Sequence, residues 1–166
     1  MISHYRVDMR VVHGQTTTIL KKKFPLNSII VIDDEIAKDK QMIRLYANTV
    51  SGGIKVIVLN TERGFANLKK AEDSKLNYFI IMKTPLTMKK LIQMGYKFKG
   101  VVTIGQQFIR DDAPSYLKSV GNTKDEWEAI EYSHNHGTNI VFDPSCKFEN
   151  ISYEKAKIEH DKVKNY

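Results

Sequence analysis

Six residues near the N-terminus carry the chemistry this chain can offer: Arg6, Asp8, Arg10, His13, Gly14 and Gln15. A neutral imidazole is a nucleophile, and histidine titrates close to neutral pH. The guanidinium groups of Arg6 and Arg10 are forked donors suited to phosphate oxygens, and Asp8 offers an acceptor to orient the imidazole. Gly14 lets the backbone approach a ligand closely. A helix start expected just beyond it would turn unpaired N–H groups toward an anion. A histidine in this company, with no serine elbow and no metal-ligand spacing, suits acceptance of a phosphoryl group. The resulting phosphoramidate is reactive enough to pass the group onward. On pattern alone, a loop histidine on a structural turn fits equally well.

The elements that position these residues follow from periodicity. Short apolar strands are expected at about 4–8, 28–32, 54–59, 78–82, 101–104, 116–120 and 139–142. Helices are expected at about 15–23, from the Asp33-Asp34-Glu35 run to 49, at 61–71, 85–94 and 124–136, and as a charged C-terminal helix at about 152–164. Thr84-Pro85 is a cap followed by proline at the first helical position, and Thr123-Lys-Asp-Glu126 is a capping box. Strands two to five are apolar on both parities, as strands buried on both faces are. The chain therefore reads as a single α/β domain over 1–166: a mostly parallel sheet of about six or seven strands with helices on both faces. In such sheets ligands collect at the carboxyl ends of the strands. His13, Asp33-Asp34, Asn60, Lys83-Thr84 and Gly105-Gln106 all fall there. Asp33 and Asp34 are expected to cap the helix that follows them.

Composition narrows the class. The chain has 166 residues, 42% hydrophobic and 27% charged, with one cysteine and a net charge of +7. Those fractions belong to a folded globular protein. No apolar run approaches the roughly 20 residues of a membrane span, no signal pattern opens the chain, and the lone thiol Cys146 points to a reducing, cytoplasmic setting. The charge is polarised: residues 69–99 carry eight lysines against Glu72 and Asp73, whereas residues 100–166 carry eight basic and eleven acidic side chains. Lys89, Lys90, Lys97 and Lys99 are expected on or near the rim around His13, where they would steer an acidic partner. No aromatic RNA-binding motif, zinc finger or heptad accompanies the lysines, so nucleic acid is not expected as a partner. His134 and His136 are two apart on a helix and point about 200° apart, which argues against a metal pair. His160 is expected as a solvated helix residue and Trp127 as a core or contact residue.

The segment Arg6-Val-Asp-Met-Arg-Val-Val-His13-Gly-Gln15 resembles the signature R-[IV]-D-D-R-L-I-H-G-Q of IIB subunits of the mannose/fructose/sorbose class of bacterial sugar phosphotransferase systems. Ile30-Val-Ile-Asp-Asp-Glu-Ile-Ala-Lys-Asp39 is similar to the second family box, and Lys83-Thr84-Pro85, Ile104-Gly105 and Lys118-Ser119-Val120 continue the likeness through about residue 145. The resemblance implies a cytoplasmic phosphocarrier working at the inner face of the membrane. His13 would take a phosphoryl group from a phosphohistidine on a IIA subunit and give it to a sugar delivered by the membrane subunits IIC and IID. It implies that Arg10, Gly14 and Gln15 cradle the phosphate, that Asp8 and Arg6 support them, and that no metal or organic cofactor is needed. A homodimer is compatible with the family. Two positions depart from the pattern: Met9 replaces the usual second acidic residue, and Leu20 stands where the family often has tryptophan.

Two rival readings remain at this stage. A receiver-like phosphoacceptor domain would explain the acidic pair and Lys83-Thr-Pro85. It lacks an aspartate at the end of the third strand counted from that pair, where Met82-Lys83 stands. A non-catalytic regulatory or binding module would use the basic 69–99 surface.

Overall fold

The structure, a computed structural model, describes residues 1–13, 18, 21–50, 52–147 and 150–164. Seven strands form the main sheet: β1 (Ile2–Val7), β2 (Ser28–Ile32), β3 (Lys55–Leu59), β4 (Tyr78–Met82), β5 (Val101–Ile104), β8 (Asn139–Phe142) and β9 (Ile151–Ser152). Their order is β3-β2-β4-β1-β5-β8-β9, and every pairing is parallel except that of β9 with β8. Isoleucine and valine fill β2, and phenylalanine, isoleucine and methionine fill β4, because both faces are covered, and β2 is buried at all five positions. β1 sits between β4 and β5, in the interior of the sheet, so its carboxyl end opens onto the middle of the rim.

Two apolar layers lie on opposite faces. Tyr5, Val7, Ile30, Ile80, Val102 and Ile104 pack against Leu68, Met88, Leu91, Trp127 and Ile130. Ile29, Val31, Phe79 and Ile81 pack against Val11, Val12, Ile36 and Tyr46. The helices supplying these layers are α1 (Lys40–Thr49), α2 (Thr61–Glu72), α3 (Pro85–Gln93), α4 (Lys124–Asn135) and α5 (Tyr153–Val163). Asn60, Thr123 and Ser152 cap α2, α4 and α5 through side-chain acceptors, and the Thr123–Glu126 capping box is complete.

Three expectations need correction. The stretch after β2 is not one helix: Asp33 caps a 3-10 turn at Ile36–Lys38, and Asp39 starts α1 by accepting from the Gln41 and Met42 N–H groups. The single strand expected at 116–120 is a hairpin, β6 (Ser115–Leu117) with β7 (Val120–Gly121). Ser119 turns its tip at φ 61°, and a Cβ on Gly121 would come within 2.3 Å of the Ala113 carbonyl oxygen. His160 is 1% exposed rather than solvated, its ring stacked on Trp127 at 3.8 Å. Of the helix expected at 15–23, Thr18 and Lys21 to Lys23 are helical, and the rest lies outside the described residues.

Two histidines stacked on aromatic rings make the fold acid-sensitive. His4 stacks between Phe24 and Phe79, and burial lowers its pKa to about 4. Burial brings His160 to about 4 as well. The unfolded chain takes up these protons near pH 6.5 and the folded one does not. Stability is therefore full above pH 6.5 and declines as pH falls toward 4. Denaturant unfolding measured across that window will show the decline, and His160→Phe, which keeps the stacking and removes one of the two proton sites, will reduce it while the part due to His4 remains.

Candidate phosphoryl site at the carboxyl end of β1

β1 hands the chain to the rim through a continued ladder: Asp8 N–H donates to the Met82 carbonyl and Met9 N–H to the Gln106 carbonyl, both at 3.0 Å. A turn follows at once, closed by Val11 N–H to the Asp8 carbonyl at 3.0 Å. Val11 adopts φ 57°, a left-handed conformation that a β-branched residue takes only under constraint. The compensation is burial: Val11 and Val12 are 1% and 4% exposed, pinned in the core layer beneath. With its two neighbours anchored inward, His13 is carried to a half-buried position.

Asp8 is the centre of the loop. Its carboxylate is fully buried. Oδ2 accepts from Arg6 Nε at 3.0 Å and Nη2 at 2.9 Å, while Oδ1 accepts from the Arg10 N–H at 3.0 Å and Arg10 Nε at 3.4 Å. The Gln106 N–H approaches Oδ2 at 3.3 Å. Arg6, itself 2% exposed, also donates from Nη2 to the Asp143 carbonyl at 3.1 Å, joining the loop to the end of β8. The expectation that Arg6 presents a fork to phosphate is thus corrected. Its donors are turned inward, and its place is support behind Asp8. Asp8 in turn grips both arginines, and it reaches the imidazole through its charge. Arg10 is the arginine left at the rim, its side chain 31% exposed.

The pKa of His13 is lowered, first by burial and then by the Arg10 charge, with Asp8 pulling the other way and Arg6 adding a smaller push down. The ring is neutral at neutral pH and carries a nucleophilic lone pair beside a guanidinium. Gly14 and Gln15, expected in the phosphate cradle, lie outside the described residues, as does Leu20.

Other expected rim residues have different work. Asp33 Oδ1 accepts from the Glu35 and Ile36 N–H groups. Asp34 does not cap the turn after β2. Its Oδ1 accepts from the N–H and hydroxyl of Thr61 and its Oδ2 from Lys90 Nζ at 2.7 Å, and these bonds hold its pKa at about 2. The acidic pair is thereby committed to loop and helix structure. Lys89 lies over the Tyr132 ring, and Lys99 pairs with Glu72 at 2.5 Å. Lys97 and Lys99 precede β5, at the opposite rim of the sheet from His13. Lys97 and Lys99 are therefore not part of a collar around the histidine, whereas Lys90 stands at its rim, paired with Asp34. Among the described residues no group of three or more His, Cys, Asp or Glu side chains could hold a metal ion, and no helix is long and apolar enough to cross a membrane.

Two features were missed from sequence. Gly105 is needed for space: a Cβ there would lie 2.4 Å from Arg6 Nη2 and 2.5 Å from Asp8 Oδ2. A glycine at a strand end beside a strand carrying a buried ion pair was the available signal. Met9, read only as a lost carboxylate, holds the loop after β5. Phe108 N–H points to its sulfur at 3.3 Å and Arg110 Nη1 lies 3.5 Å away.

The model describing the PTS system sorbose subfamily IIB component matches residues 2–163. The chain is 24% identical over 140 residues to the sorbose-specific EIIB component of Lacticaseibacillus casei, covering 84% of this chain and 85% of that protein. It is 25% identical over 138 residues to the N-acetylgalactosamine-specific phosphotransferase enzyme IIB component 1 of Escherichia coli, covering 81% and 85%. Its fold matches the crystal structure of the IIBSor domain of the sorbose permease from Klebsiella pneumoniae with a TM-score of 0.86, at 20% identity, over 100% of this chain and 99% of that one.

Gly105→Ala will force the Arg6–Asp8 pair apart and destabilise the protein by about 3 kcal/mol, the order found when a buried ion pair is broken. Gly100→Ala, whose added Cβ meets nothing within 4 Å, will change stability by less than about 0.5 kcal/mol. Denaturant unfolding of the two variants measures the contrast.

Proposed function

Because this chain belongs to the sorbose subfamily of IIB components of the bacterial phosphotransferase system, we propose that it carries phosphoryl groups on His13. IIB components are phosphotransferases that work with IIA and with membrane IIC and IID subunits, and the reading assigns the atoms. The His13 nitrogen attacks phosphorus on the IIA phosphohistidine. A P–N bond forms to His13 as the P–N bond to the donor imidazole breaks, and the donor ring leaves neutral once it takes a proton. In the second step a hydroxyl of a sugar held by IIC and IID attacks the same phosphorus, the P–N bond to His13 breaks, and the hydroxyl proton is released. Arg10 faces the charge on the phosphoryl oxygens in both steps. Asp8 and Arg6 keep Arg10 in place, Gly14 and Gln15 complete the cradle with backbone N–H groups, and the chain works from the cytoplasmic side of the membrane.

The observation that carries this reading is a half-buried imidazole, kept neutral, next to an arginine that is fixed through both its backbone and its side chain by one buried carboxylate. The relatives differ in the sugar their names specify, sorbose in one and N-acetylgalactosamine in another, at nearly equal identity. The reading therefore covers the transfer and leaves the sugar to the membrane subunits.

Phosphorylated IIA will label the chain in an acid-labile, base-stable form, and His13→Ala will abolish that label. Labelling that survives the substitution sinks the assignment. Arg10→Ala will leave the label in place but slow its appearance by about 100-fold, on the scale of one lost stabilising donor. The pKa of His13 is lowered from 6.5, so the rate of uptake will stay level from mildly alkaline pH down past 6.5 and fall only on the acid side of it.

A further inference from the structure

The loop that follows β5, on the same rim as His13, exposes two large apolar side chains. Phe108 is 46% exposed and Ile109 56%, adjacent on the loop that follows β5. The loop carrying them is held by the Gln107 N–H bond to the Ser119 carbonyl at 3.0 Å, by the contact of the Phe108 N–H with Met9 sulfur, and by the Arg110 bridge to Ala113. Arg110 is locked in turn by Glu126, whose Oε2 accepts from Nη2 at 3.0 Å. The two side chains are therefore presented outward on an anchored backbone, one contact away from Met9, which is four residues from His13 around the Val11 turn.

We propose that Phe108 and Ile109, with Met9 between them and the phosphoacceptor, form the apolar anchor on which the phosphoryl donor protein docks. The inference rests on the reading of His13 given above. Transfer between two protein histidines requires their surfaces to meet around the phosphorus. A standard interface covers about 800 Å² per partner, a disc of roughly 16 Å radius. A disc of that size centred on His13 takes in the loop after β5. Met9, Phe108, Arg10 and Arg110 are of the types enriched at interface centres, and Ile109 extends the apolar surface beside them. Lys90 is paired with Asp34 on the His13 rim, and Lys99 is paired with Glu72 on the far rim. The complementary face is an acidic rim around an apolar socket on the phosphohistidine protein.

The test separates docking from chemistry by using two donors, phosphorylated IIA and the small molecule phosphoramidate. With phosphorylated IIA, the Phe108→Ser/Ile109→Ser double variant will lose at least about 10-fold in kcat/KM, carried by KM, the scale of one or two hot-spot side chains. With phosphoramidate it will be labelled on His13 at the wild-type rate, and Phe108→Leu will recover most of the rate with IIA. A double variant that accepts from IIA as fast as wild type overturns the inference alone. So does one that slows equally with both donors, because the loop then acts on the site itself, and so does one that slows only sugar phosphorylation. Wild-type chain that takes no label at His13 from either donor overturns the reading of the site and the inference with it.

Discussion

A buried carboxylate is costly unless it is fully partnered, and Asp8 is buried completely at the very point where the sheet meets solvent. Its partners come from three places in the chain: Arg6 on its own strand, Arg10 two residues on, and the Gln106 N–H beyond β5. The geometry of the loop follows from satisfying it. Arg10 cannot turn away without uncovering Oδ1, and the end of β5 must carry glycine because the ion pair fills the volume where a side chain would stand. Arg6 then ties the arrangement to the Asp143 carbonyl at the end of β8. One negative charge thus sets the position of two positive ones and of the strand ends on either side.

The same arrangement has an electrostatic logic. Two guanidinium groups around one carboxylate leave the loop with a surplus of positive charge before any ligand arrives, and that surplus adds to the larger effect of burial in lowering the pKa of the imidazole. A phosphoryl group on nitrogen would bring negative charge into the same space, where Arg10 is already oriented. In the proposed transfer, the donors would be in place before the phosphoryl group arrives. The strained φ of Val11 belongs to that arrangement, since burying two valines in the core is what keeps the turn from relaxing.

The fold was largely legible because its signals are local. Runs such as Ile29-Ile30-Val31-Ile32 and Phe79-Ile80-Ile81-Met82 bury both parities and admit one interpretation, and the caps at Asn60, Thr123 and Ser152 mark their helices by chemistry within four residues. Asp39 was missed as a cap because Asp33-Asp34-Glu35 gave the nearer acidic signal, while the real break came after the 3-10 turn. His160 misled because a charged helix hides which face is buried until Trp127, from a different helix, is placed against it. The site followed the same division. Type and spacing singled out His13, Arg10 and Asp8, and the structure joins Arg10 to Asp8. The inward turn of Arg6, the space kept by Gly105 and the hold of Met9 on the loop after β5 depend on partners about 100 residues or more away, and no local pattern encodes them.

That distance also has a temporal meaning. β1 precedes its neighbours in the chain, yet it hydrogen-bonds to β4 and β5, and Arg6 reaches Asp143, separated from it by 137 positions. Contacts so far apart form late, because long loops must close before they are rewarded. During synthesis β2, β3 and β4 can associate while the N-terminal strand still waits for its second neighbour. The loop after β1 is among the last parts of the molecule to take shape, so a chain halted before β8 would have much of its sheet and no partner to hold Arg6 behind Asp8.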